Sequence, residues 1–91
     1  MQSQRRSIRY EGRVQGVGFR YTTVGIACRF RVEGFVRNLP DGRVLLVAEG
    51  EPAELDRFLA AVEGAMGRYV RNKAVETLPA TGEFCGFGIH H

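Results

Sequence analysis

Residues 7–14, SIRYEGRV, alternate: Ile8, Tyr10, Gly12 and Val14 point one way, and Arg9, Glu11 and Arg13 the other. A period of two with one charged face predicts a half-buried strand. From Tyr21 to about Arg31 the period lengthens. Val24, Ala27 and Cys28, flanked by Thr23 and Phe30, form a helical stripe, and the helix is expected to start at Phe19 and Arg20. GFVRNL (34–39) reads as a second strand, and RVLLVAEG (43–50) as a third, apolar on both faces and therefore central. The LPDGR between them predicts a hairpin turn, because Pro fixes φ and Asp-Gly accepts turn geometry. EPAELDRFLAAVEGAMG (51–67) is the clearest helix, with Leu55, Phe58, Leu59, Val62 and Met66 on one face. Pro52 suits its first turn, and Glu54 and Asp56 lie near its positive end. The remainder, RYVRNKAVETLPATGEFCGFGIHH, reads as strand material interrupted near residues 79–82, with no register fixed by the pattern.

Strand, helix, strand, strand, helix, strand is the split βαβ order. It predicts an α+β sandwich of ferredoxin-like βαββαβ type, an antiparallel sheet with two helices on one face, in a single domain over residues 1–91. A composition of 44% hydrophobic and 25% charged residues is ordinary for a globular chain. No apolar run approaches the ~20 residues that span a bilayer, so no membrane partner is expected. MQSQRRSIRYEG has basic residues without a following apolar stretch, so no signal peptide is read and a cytoplasmic location is expected. One small core without an exposed heptad suggests a monomer. Cys28 and Cys85 lack CxxC spacing and a histidine cluster, so no metal is expected, and both are read as reduced, mostly packed thiols. His90 and His91 read as a terminal tail rather than a catalytic pair.

Net charge is +3, and of the 13 basic residues only Lys73 is a lysine. Arginine's donor fork suits phosphate and carboxylate, which points to an anionic partner; an arginine-rich solvated surface fits the same composition.

GRVQGVGFR (12–20) joins the first strand to the first helix. Glycines this dense are costly inside a strand or helix, so a loop is implied. A Gly-rich loop entering a helix can gather several backbone N–H groups into an anion-binding nest, to which the helix adds its unpaired N–H groups and partial positive charge. In that reading Gln15, Gly16, Val17, Gly18 and Phe19 cradle a phosphate and Arg20 supplies paired donors. A loop that merely turns sharply would need the same glycines. The pattern is neither a Walker A loop nor a dinucleotide fingerprint.

No Ser–His–Asp arrangement or paired-carboxylate motif stands out in the chain. Hydrolysis of an ordinary phosphate ester needs help for the leaving alkoxide, from a metal or an acid. An acyl phosphate is different, because it releases a carboxylate whose conjugate acid has a pKa of roughly 4. Neutralising the phosphate and aiming a water are then the remaining tasks. Asn38, at a strand end beside the tight hairpin, has the donor and acceptor to aim a water. Capping the turn is its alternative role.

GRVQGVGFRYTT followed by GFVRNLPDGRV closely resembles the acylphosphatase family, with Thr23 and Ala27 of the intervening helix, FLAAVEG and the terminal FGI also fitting. The resemblance spans most of the chain. It implies the ferredoxin-like fold and hydrolysis of the carboxyl–phosphate bond of acyl phosphates, without metal or cofactor. It places phosphate binding on the loop Gln15 to Phe19 and on Arg20, and water orientation on Asn38. Thr23 matches a supporting position, where capping or packing would serve equally. The resemblance also implies that the phosphate itself takes the water's proton. The substrate class is a small-molecule acyl phosphate, with inorganic phosphate as product and competitive inhibitor. Three departures stand out: Arg31 where the family commonly has Gly, EGAMGRYVRN where it often carries Gly-Pro, and Phe35 in place of a frequent Trp. Arg31 implies either a strained left-handed cap costing about 1 kcal/mol or another way of ending the helix.

Two rival readings start from the same order of elements. RNA-recognition domains share it, and CGFGIHH partly echoes their aromatic motif, but it starts with Cys and lacks the second aromatic. No nucleic-acid partner is therefore expected. The other rival is a carbamoyl-phosphate-handling module of a hydrogenase-maturation protein. With no larger enzyme attached to these 91 residues, a stand-alone hydrolase is expected.

Overall fold

The computed structural model describes residues 2–91. Five strands, β1 (Gln4–Gly12), β2 (Glu33–Asn38), β3 (Val44–Gly50), β4 (Val70–Pro79) and β5 (Phe87–His90), form one sheet in the order β4-β1-β3-β2-β5. Two helices, α1 (Phe19–Ala27) and α2 (Pro52–Met66), give the ferredoxin-like β-α-β-β-α-β arrangement. As expected from its two apolar faces, β3 is central, pairing antiparallel with both β1 and β2.

The core forms where the helices meet the sheet. Ile8 and Tyr10 from β1, Val36 from β2, and Val44, Leu46 and Ala48 from β3 meet Leu55, Phe58, Leu59, Val62 and Met66 of α2. All five α2 residues predicted as one face are buried. Phe58 is the hinge of this packing, edge-on to Phe87 at 5.4 Å and tilted against Phe30 at 5.9 Å. From α1 come Phe19, Ile26 and Ala27.

Three expectations need correction. The sheet is mixed, because β5 pairs parallel with β2 while the other pairings are antiparallel. The chain reaches that edge by crossing the face without helices. Thr81 and Gly82 bind Glu49 there, and Phe84 lies edge-on to Phe35 at 5.6 Å. Second, Cys28 and Cys85 are free thiols, but both are exposed rather than packed. The first helix stops at Ala27, so Cys28 is its C-cap and turns outward. Third, His90 is no loose tail: it ends β5 and stacks flat on Phe35, at 4.2 Å and 6°.

Arg31 resolves the first helix end without a left-handed residue, since no non-glycine residue described has positive φ. Arg29 and Phe30 N–H donate to the Ile26 and Ala27 carbonyls, tightening the last turn. The Arg31 N–H then donates to the Glu54 carboxylate at 2.8 Å. That bond, followed by Arg57, holds the Glu54 pKa below the usual carboxylate range.

Candidate active site

β1 and β2 both run antiparallel to β3, so both end at the same edge of the sheet. Tyr10 and Asn38 each pair with Val44, one from either side. The loop after β1 and the last residue of β2 therefore lie about 10 Å apart, two strand spacings. Arg20 and Asn38, nearly twenty residues apart in sequence, belong to one end of the molecule.

The loop is pinned by its apolar residues. Val14 and Phe19 are buried and Val17 packs against the core. Phe19 also tilts against Tyr10 with ring centroids 5.2 Å apart. Tyr10 is fixed in turn by its hydroxyl, which donates to Glu63 at 2.8 Å; burial, then this bond, drives its pKa far upward, so it stays neutral. Gly16 and Gly18 face outward between these pegs, with φ of 78° and 80°. Val17 between them does not have positive φ. This alternation of sign turns successive N–H groups toward one side and builds a nest. Space beyond both glycines is open.

α1 starts directly from the nest. Gly18 is its N-cap, in left-handed conformation, with no side-chain cap and no acidic residue in the first turn. The first helical bond is Thr22 N–H to the Gly18 carbonyl, at 3.0 Å. The N–H groups of residues 18–21 therefore have no intrahelical partner. Arg20 lies in that first turn, half-buried, and none of the ion pairs among the described residues takes it. N–H groups without an intrahelical partner, the positive end of the helix dipole and an arginine thus share the first turn of α1. Asn38 is half-buried at the start of the hairpin, which closes by Leu39 N–H to the Arg43 carbonyl at 2.8 Å. Asp41, the acidic residue of that turn, is engaged by the Arg43 side chain, which holds its pKa below the usual range.

Gln15 does more than its place in the loop foretold. Its side-chain amide leaves the nest and donates to the Leu39 carbonyl at 2.8 Å and the Arg43 carbonyl at 2.9 Å. Its length and two donors are visible in the sequence, but its partners depend on tertiary pairing. Thr23 is fully buried one turn into α1, and its hydroxyl has no hydrogen-bond partner. It is a packed residue rather than a cap.

A cleft of about 480 Å³ lies at the opposite end of the sheet, near Gly50. Glu33, Glu49, Glu51 and Glu54 line it beside Arg31 and Arg57, so its carboxylates oppose a phosphate. Chemistry favours the open loop over this hollow.

The family model described as Acylphosphatase matches residues 6–89. The chain belongs to the acylphosphatase family. It is 46% identical over 81 residues to an acylphosphatase of Marinobacter nauticus, covering 88% of each chain. It is 35% identical over 85 residues to one from Lactobacillus johnsonii, covering 91% of this chain and 93% of that one. The crystal structure of acylphosphatase from Bacillus subtilis superposes with a TM-score of 0.85 at 32% identity, covering 97% of this chain and 99% of that one. Membership of this family makes the chain a hydrolase whose substrates are small-molecule acyl phosphates. Among the described residues no helix is long and apolar enough to cross a membrane.

Proposed function

We propose that residues 1–91 act as one acylphosphatase domain that cleaves the carboxyl–phosphate bond by in-line attack of a water. The amides of residues 15–19 and the Arg20 guanidinium hold the phosphate. Asn38 orients the water, accepting from it and donating to it through its amide. The new bond joins the water oxygen to phosphorus as the bond to the acyl oxygen breaks. The carboxylate leaves unprotonated, and the phosphate takes the water's proton. Thr23 supports Arg20 from beneath by packing α1 onto the core.

One observation carries this reading: the two left-handed glycines open into an uncapped helix whose first turn holds Arg20 and no acid. An anion is the ligand that such a place stabilises, because it meets amides, dipole and guanidinium together. Metal independence follows from the leaving group, whose conjugate acid has a pKa of roughly 4. The RNA-binding alternative is weakened by Phe87, which turns into the core against Phe58 instead of standing out for a base. A cytoplasmic monomer fits a chain with one small core.

Purified protein in excess EDTA should hydrolyse benzoyl phosphate at its full rate, with inorganic phosphate competing. Strict dependence on added metal, or inhibition by phosphate that does not compete with substrate, would overturn the mechanism.

A further inference from the structure

We propose that Gln15 is a positioning residue that sets the distance between the phosphate loop and the water-orienting Asn38; the inference rests on the roles proposed above. Gln15 is the first residue of the proposed phosphate loop. Its two amide hydrogens reach the carbonyls of Leu39 and Arg43, at 2.8 and 2.9 Å. Leu39 follows Asn38 and Arg43 precedes Val44, and Asn38 and Val44 are partners across the hairpin. One side chain thus grips both strands of the hairpin just beyond the Asn38 pair.

The chemistry of the contact is selective. Both acceptors are carbonyls, so only the NH₂ end of the amide can face them. The same carbonyls already accept hairpin bonds, from Gly42 N–H at 3.1 Å and Leu39 N–H at 2.8 Å. The hairpin is therefore closed without Gln15, and what the side chain adds is its attachment to the nest. Loop and hairpin belong to different crossings of the sheet. A water aimed by Asn38 must meet a phosphorus held by the loop in line, and a misplacement of about 1 Å can cost as much as 100-fold in rate.

Gln15→Leu keeps the bulk and removes both donors. With benzoyl phosphate, kcat should fall roughly 10- to 100-fold, while KM and competition by inorganic phosphate stay near wild type. In an Asn38→Ala background the same change should cost nothing further, because there is no oriented water left to misplace. Gln15→Glu supplies a second readout. Its carboxylate repels both carbonyls, but once protonated it donates one bond. Its kcat relative to wild type should therefore rise as pH falls through the glutamate pKa. An unchanged kcat in Gln15→Leu, or an equal loss with and without Asn38, would overturn the clamp alone. An intact kcat in Asn38→Ala would overturn the water-orienting role and the clamp with it. Chemical denaturation of each variant separates these outcomes from loss of the fold.

Discussion

Arg20 occupies a position that helix electrostatics ordinarily disfavour, the first turn of α1, with no acid beside it. A cation at that end costs roughly 0.3–1 kcal/mol, a cost that a bound anion reverses. Arg20→Lys keeps the charge but loses the paired donors, so kcat/KM should fall by roughly 100-fold. Near-complete activity in that variant would show that charge alone suffices. Gly16 and Gly18 were legible from sequence because only positive φ justifies glycines so dense, and both have it. The Gln15 amide was not legible, since its acceptors lie more than twenty residues away. Cys28 was misread for a related reason. A helical stripe extended one residue too far places it inside, whereas the chain leaves the helix there.

Among the elements, the long helix and β1 announce themselves by period, and their core faces are those the pattern assigned: Leu55, Phe58, Leu59, Val62 and Met66 are buried, as are Ile8, Tyr10 and Val14. β4 does not. Its residues 71–79 are exposed, so no buried set fixes its register, and pairing with β1 does so instead. The crossover from β4 to β5 depends on Glu49, a buried carboxylate in an apolar strand that the sequence pattern passed over. It accepts from Arg5 at 2.8 Å, Thr81 N–H at 2.9 Å and Gly82 N–H at 3.0 Å. Arg5 in turn pairs with Glu83 and lies over the Phe84 ring at 4.9 Å. Burial pushes the Glu49 pKa up, but the Thr81 and Gly82 amides and Arg5 outweigh it and hold the value below the usual range. A depressed carboxylate contributes stability above its unfolded pKa of about 4.3 and loses it as pH falls through the folded value. Urea unfolding of Glu49→Ala at neutral pH should show a loss of roughly 3 kcal/mol. Below about pH 4 the gap to wild type should narrow. A gap that stays constant down to the lowest pH would remove Glu49's ionisation from the account of the crossover.

At the scale of the whole molecule, function rests on topology. Two segments that resemble the family as separate blocks of sequence come to the same end of the molecule because β1 and β2 end on the same side of β3. In the proposed mechanism, phosphate grip belongs to the loop after β1 and water orientation to the end of β2. The two duties should therefore separate cleanly by mutation. The most direct measurement is benzoyl phosphate turnover by wild type and Asn38→Ala, alongside direct binding of inorganic phosphate to each. The expected result is a loss of about 100-fold in kcat for Asn38→Ala with phosphate affinity unchanged. A variant that keeps its kcat, or loses phosphate binding in step with turnover, would contradict the division of labour between loop and hairpin.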